Sequence, residues 1–502
     1  LWVSIPNLLC GFSVWMYWGM IVASMQRLHF ANPDLFNFID STGKPYNEAG
    51  YRALLFTLPA VAGLAGATLR IPNSFMIAIC GGRNVKCMTT LLLIIPALLT
   101  GIALQNPRTP FYVYTILAAF SGVGGGAFAS SMSNISFFFP KRMQGLALGL
   151  NAGLGNAGVS VMQFLIPWAI TFGLFGSLGG DPQQYSVAGQ PQQMWLQNAT
   201  LIWVPIMTVL AIMVCLFMNN LPQHRCGSTP SAICKYVWLQ LIGFVGTAAG
   251  VIFLLFVPLP IPELLRIFLV LLTSVVVTLL GMRFATPQAI QQPLNSQFAI
   301  FRNKHNWIMT WLYVMTFGSF IGYSNAFPKL IEDVFVTKTN GLVPSSYIWL
   351  GAAVGAFIRP VGGWLADKLG GARVTQWDTW IMVASTLLAG YIVSLAGQST
   401  TPEKYFMPFL VTFIVLFATT GIGNGSTFRM IPIIFSKEQA GPVLGWTSAI
   451  AAYGAYLIPK IFATQIEAHT PEYALYGFAV YYASCLAVNW WFYARKGAEI
   501  EC

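Results

Sequence analysis

Two arginines raise the first chemical question. Arg70 is the single charge in "VAGLAGATLRIPNSFMIAIC" (61–80), inside an otherwise apolar run from Arg52 to Arg83. Arg359 stands in a similar position in "IRPVGGWLADKLGGAR", which begins at Ile358. A guanidinium is a planar fork of N–H donors that stays charged, so its natural partner is an oxyanion met in plane. The alternatives are snorkelling to an interface or pairing with a buried carboxylate. No aspartate or glutamate occurs between Glu48 and Asp181, between Asp181 and Glu263, or between Glu263 and Glu332. Every core span is read as lacking a carboxylate in its interior. The missing negative charge is therefore expected to be a bound substrate.

These arginines sit in a membrane. The chain has 502 residues, 56% hydrophobic and only 8% charged, with a mean hydropathy of +0.66. Such a chain is not wrapped as a soluble globule. Apolar runs of about 20 residues, the length that crosses a bilayer as helix, recur along it without the alternation of a porin strand. Spans are expected near 1–28, 51–79, 86–105, 110–139, 144–175, 200–219, 234–257, 262–282, 306–328, 345–366, 375–397, 405–435, 441–465 and 473–494. The expectation is an all-α membrane protein of fourteen helices. The domains are then an N-terminal six-helix bundle (1–220), a linker with two extra helices (221–304) and a C-terminal six-helix bundle (305–502). The opening at Leu1, not a methionine, is read as a missing N-terminal tail, and no cleavable signal peptide is recognised.

Basic residues orient the helices. Loops with Arg83/Lys86, Lys141/Arg142, Arg225/Lys235, Arg283/Arg302/Lys304, Lys368/Arg373, Lys437 and Arg495/Lys496 fall on one side if helices alternate, and that side is assigned to the cytoplasm with both termini. Asp34, Asp40, Glu48, Asp181, Glu332, Asp333, Glu403, Glu467 and Glu472 fall opposite. The net charge of +11 then reflects topology, and scattered basic residues do not suit nucleic acid. The eight cysteines show no CxxC pairing, and His29, His224, His305 and His469 lie in loops or at helix ends. Neither a metal nor a haem centre is expected, which disfavours a membrane oxidoreductase.

The chain repeats itself. In both halves a lone arginine precedes a Gly-Gly pair by eleven positions, Arg70 to Gly81 and Arg359 to Gly370. "GVGGGAF" (122–128) and "GIGNGSTF" (421–428) both place glycines at alternate positions in an apolar helix. Two copies of a six-helix unit follow, with 234–257 and 262–282 matching neither. Gly153, Gly155 and Gly158 in "GLNAGLGNAGVSVMQ" (149–163), with Gly421, Gly423 and Gly425, are expected to let backbones approach and slide.

"GGWLADKLGGARV" (362–374) resembles the loop motif between the second and third helices of each half in the major facilitator superfamily, with Asp367 and Arg373 in its charged positions. The first-half copy, "AICGGRNVK", is degraded. With "FASSMSNISFFFPK" (128–141) and "YVMTFGSFIGYSNAF" (313–327), the glycine segments resemble the nitrate/nitrite porter family, especially its bacterial antiporters. That resemblance implies two six-helix bundles around a cavity open alternately to each side. It also implies that Arg70 and Arg359 hold the anion's oxygens, that Phe128 and Phe317 sandwich its plane, and that Tyr313 and Asn156 donate from the sides. Ser448 falls near the family's site. The substrates implied are nitrate and nitrite, taken up for assimilation across the bacterial inner membrane, with no cofactor and no obligate protein partner.

Arg429 and Lys460 are expected to snorkel to opposite membrane edges, and Glu263 with Arg266 to form a local pair on a peripheral, lipid-facing extra helix. The outer loop 29–50 reads as long, the connection 436–440 as short. With no carboxylate or histidine expected in the spans, exchange of nitrate for nitrite is favoured over symport with protons.

Overall fold

Two breaks in the long helices fall beside the arginines, each next to a proline. Pro72 and Pro360 each follow an arginine closely, and proline removes a backbone donor and crowds the preceding turn. We describe a computed structural model, covering all residues except 40–42, 188, 222–225, 258–260, 337–341 and 344–345. Asp40, His224 and Arg225 therefore lie outside the described residues.

The N-terminal half contains α1 (Ser4–Met16), α2 (Trp18–Ala31), α3 (Glu48–Asn73), α4 (Met76–Cys80), α5 (Gly82–Gln105), α6 (Phe111–Phe138), α7 (Lys141–Ala169), α8 (Asn198–Leu201) and α9 (Trp203–Phe217). An antiparallel hairpin of β1 (Gln183–Val187) and β2 (Gln190–Met194) caps one end of it. Then come α10 (Thr229–Phe256), α11 (Glu263–Phe284) and the short α12 (Gln288–Gln297). The C-terminal half contains α13 (Lys304–Tyr313), a wider π turn at Val314–Gly318, α14 (Ser319–Phe335), α15 (Ile348–Phe357), α16 (Arg359–Leu369), α17 (Gly371–Gly397), α18 (Phe406–Ile434), α19 (Lys437–Ala452), α20 (Gly454–Glu467) and α21 (Pro471–Asn489).

Among the described residues, ten helical stretches are long and apolar enough to cross a membrane. The expected fourteen are not reached on that measure. The stretches that fall short are the glycine-rich α7, α13–α14 with its π turn, α19–α20 with its break at Tyr453, and the tyrosine-rich α21.

The internal repeat has a structural counterpart. Gly81 and Gly370 both adopt positive φ, +84° and +91°, between two helices. Only glycine takes this conformation without strain, which accounts for its matching position in both halves. In the N half, α6 lies on α3 because Gly122 and Gly125 offer no side chain: a Cβ on either would come within 2.8 Å of Ala65 or Gly66. In the C half, α18 lies on the helix pair α15–α16 in the same way, Gly421 facing the Gly355 carbonyl and Gly425 the Arg359 carbonyl. Each glycine-striped helix thus packs directly on the arginine-bearing one.

The inserted pair is zipped by small residues, Gly246 against Thr278 and Gly250 against Ser274. It stands on the outside of α3, where Gly243 meets Leu69 and Pro72, and α11 also touches α20. Leu264, Leu265, Phe268 and Leu272 remain exposed on α11. Glu263 and Arg266 pair at 3.8 Å, and Arg266 also donates to the Leu254 carbonyl at 2.8 Å.

Lys86 requires a correction. It is not in a loop: α5 begins at Gly82, so Lys86 is a turn inside the helix and buried, its Nζ donating to Asn7 Oδ1 at 3.4 Å.

Candidate anion site

The two halves meet above and below the arginine layer. Towards the end rich in basic residues, Gly445 abuts Ser74, and Gly153 on α7 abuts the Ala356 carbonyl and Pro360. Towards the other end, Ser160 donates to the Trp349 carbonyl at 3.0 Å and Gln163 to the Ser324 carbonyl at 3.3 Å. Gly63 lies against the Ala455 carbonyl, and the Thr68 and Tyr453 hydroxyls are 2.9 Å apart. Between these seams Arg70 and Arg359 are 0% and 1% exposed.

Arg70 lies in the last turn of α3, which fits tightly on α6. Its Nε donates to the Gly125 carbonyl at 2.7 Å, and its Nη1 crosses to the C half, donating to the Ser448 carbonyl at 3.1 Å. Its Nη2 has no acceptor. Arg359 opens α16 and donates from Nη2 to the Tyr313 hydroxyl at 2.8 Å, while its Nε and Nη1 have no acceptor. Neither guanidinium has a carboxylate partner among the described residues. Three buried donor nitrogens on two cations are an expensive arrangement unless an anion completes it.

Aromatic rings wall this layer. Phe128 and Phe317 stack at 5.3 Å between centroids and 16° between planes. The Arg70 guanidinium lies 4.6 Å and 4.8 Å from those two rings, that of Arg359 5.8 Å and 6.0 Å. Tyr313 stacks on Phe428 at 4.5 Å and on Phe317 at 5.6 Å. Phe428 also stacks on Phe128 and lies 5.0 Å from the Arg359 guanidinium. Phe428 was missed in the sequence reading, although both glycine repeats end on a phenylalanine. A planar ion between two rings needs centroids about 7 Å apart, twice the carbon contact distance. Phe128 and Phe317 must therefore part by about 2 Å to take one.

The other expected residues divide. Asn156 lies on α7 between Gly153 and Ser160, on the face turned to the C half, and is buried with Oδ1 unpartnered. Gly155 and Gly158 pack instead against Leu8 and Leu9 of α1, inside their own half. Gly423 packs against Thr316 and Asp378. Asp367 pairs with Arg429 of α18, not with Arg373, which is exposed and has no ion-pair partner among the described residues. Arg429, partly exposed, is also half of a clasp between α16 and α18.

Asp378 overturns the expectation of carboxylate-free spans. It sits in α17 at 4% exposure, and its Oδ2 has no hydrogen-bond partner.

Two similar halves clasping a buried cationic layer are the build of a membrane transporter. The sequence pattern of the Major Facilitator Superfamily matches residues 3–459. The chain is similar to the probable nitrate/nitrite antiporter NarK2 of Thermus thermophilus, 36% identical over all of this chain and 94% of that one. It is 33% identical to the nitrate/nitrite transporter NarU of Salmonella typhimurium, over 99% of this chain and 91% of the relative. Among solved structures, the proton:xylose symporter XylE matches with a TM-score of 0.59 at 13% identity, covering 99% of this chain and 97% of the other, a likeness of fold. The chain belongs to the major facilitator superfamily, in its family of nitrate/nitrite transporters.

Proposed function

We propose that this protein carries nitrate and nitrite across a bacterial cytoplasmic membrane through fourteen spans, with both termini inside, exchanging one anion for the other by alternating access. The observation that carries this reading is the buried pair Arg70 and Arg359, with three donor nitrogens unpartnered beside a stack of aromatic rings. Nitrate and nitrite are small, planar and weakly hydrated. Guanidinium forks meet their oxygens in plane while rings cover their faces. A tetrahedral anion does not fit a flat slot. The names of the relatives at 36% and 33% identity support the same substrates.

Exchange follows from the charge of the layer. Two cations drawn into one dry seam repel, and an anion between them removes the penalty. Each passage from one side to the other then requires a bound anion, which couples inward to outward movement. The second reading, symport of nitrate with protons, is favoured by one observation, the buried carboxyl of Asp378.

Counterflow in proteoliposomes tests the proposal. External nitrate is expected to enter vesicles loaded with nitrite and not empty ones. Robust, uncoupler-sensitive uptake into vesicles without internal nitrate or nitrite, driven by a pH gradient, would overturn exchange in favour of symport.

A further inference from the structure

Asp378, the observation behind the symport reading, has no place in the exchange mechanism. It is buried in α17, with no ion pair among the described residues and Oδ2 without a donor. That oxygen points at the glycine stripe of α18, where a Cβ on Gly423 would lie 2.7 Å from it and 2.6 Å from Thr316 Cγ2. The elements packed on α17 bring Arg359, Asp367 and Lys368 on α16, Arg429 on α18, Tyr323 on α14, Tyr481, Tyr482 and Cys485 on α21 and Tyr493 in the turn that follows α21, and Tyr313 stands one turn before Thr316. Arg359 binds Tyr313, Arg429 binds Asp367, and Lys368 lies over the Trp364 ring. None is bonded to Asp378. A carboxylate with neither cation nor donor is not left ionised in a dry interior. No room for a hydrated ion is needed if the neutralising cation is a proton.

We propose that Asp378 is a proton-binding residue of the transport cycle, protonated when α17 and α18 close together and deprotonated when they part. This inference rests on the anion-carrier reading for its purpose, not for its test. The link to the anion site is short. Thr316, packed beside Asp378 on the same glycine, precedes Phe317 of the ring stack and donates to the Tyr313 carbonyl at 3.4 Å. On α18, Gly423 against Asp378 and Gly425 against the Arg359 carbonyl stand two residues apart, and Phe428 follows within a turn. Parting α17 from α18 to admit water thus moves a wall of the anion site. The proton comes from and returns to water, converting carboxylate to carboxyl with no other reactant.

The test compares the intact protein with Asp378→Asn, an isostere of the protonated form, and Asp378→Glu, which keeps the titration. In nitrate/nitrite counterflow, the wild-type rate is expected to fall on the alkaline side by up to about tenfold per pH unit, the slope of one bound proton. Asp378→Asn should lose that dependence and Asp378→Glu retain it. An Asp378→Asn profile that follows the wild type would overturn the proposal. Infrared difference spectra after a pH jump supply a readout independent of transport. A protonated-carboxyl band present in the wild type and lost in Asp378→Asn supports the assignment, and identical spectra overturn it. A failed carrier reading shows separately, as absence of counterflow in the wild type.

Discussion

The two arginine niches, built on repeated halves, are satisfied to different degrees. Arg70 has two backbone carbonyls, one of them across the seam, and lies near four rings, Phe12, Trp15, Phe128 and Phe317. Arg359 has one partner, the Tyr313 hydroxyl, and two nitrogens without any. Backbone carbonyls within packed helices hold a guanidinium in place, whereas a lone hydroxyl leaves most of the fork free for a ligand. The difference assigns unequal roles to equivalent positions: Arg70 ties the halves and contributes one free nitrogen, and Arg359 offers more of its fork to the anion.

Replacing the arginines tests that inequality most severely. Arg359→Lys is expected to weaken nitrate binding about 100-fold, from two charge-assisted hydrogen bonds lost at roughly 1.5 kcal/mol each, with little change in thermal stability. Arg70→Lys should lower both nitrate affinity and melting temperature, because it also removes the bonds to Gly125 and Ser448. Calorimetric titration and melting curves on the purified proteins distinguish the two. Identical behaviour of the variants would collapse the comparison.

A smaller effect is expected at Phe428, the ring nearest Arg359. Phe428→Ala removes a wall of the slot, so nitrate affinity should fall roughly tenfold and discrimination against tetrahedral anions should weaken. The half-saturating nitrate concentration and competition of nitrate uptake by perchlorate and sulfate measure the two effects.

Gly243→Leu sharpens the contrast between the site and its outer support. A Cβ there would lie 2.7 Å from Leu69 Cδ2 and 3.2 Å from Pro72 Cγ, so a leucine overpacks the contact of the inserted pair with α3. Stability is expected to fall by about 1–3 kcal/mol, the usual range for overpacking, while nitrate binding survives. Loss of binding in a folded variant would make the pair part of the transport machinery.

The smallest effect concerns the C-terminal tail, where Lys304 and His305 meet Glu499 at 2.6 Å and 3.3 Å. The Lys304 ammonium, chiefly, holds the Glu499 carboxyl below the usual carboxylate range. Its contribution is therefore present above the ordinary carboxylate value and is lost as pH falls through the lowered one. Glu499→Gln should speed amide exchange in 495–502 at neutral pH and leave transport unchanged.

Much of this was legible in advance because charge inside a membrane is conspicuous. Arg70 and Arg359 stood out from their apolar runs, and the Gly81 and Gly370 repeat pointed to two halves. What escaped detection depended on helix boundaries and on distance along the chain. A span read as starting at 375 leaves Asp378 near its edge, whereas α17 starts at Gly371 and places it two turns inside. Lys86 was misplaced for the same reason at the start of α5. The Arg429 partner, Asp367, is 62 residues away and on another helix. Nothing local announces such a pair.

The seams between the halves have a further consequence. At Gly63 against Ala455, Gly153 against Ala356 and Gly445 against Ser74, main chain or a very small side chain bears on the opposite half, with little interlocking. Interdigitated side chains must repack before two surfaces separate, whereas flat backbone contacts slide and part with few rotamers to change. These seams are thus bearing-like, without teeth, and the pace of the cycle passes to the few polar ties and to the stack of Phe128 on Phe317 and Phe428 that bridge the halves between them.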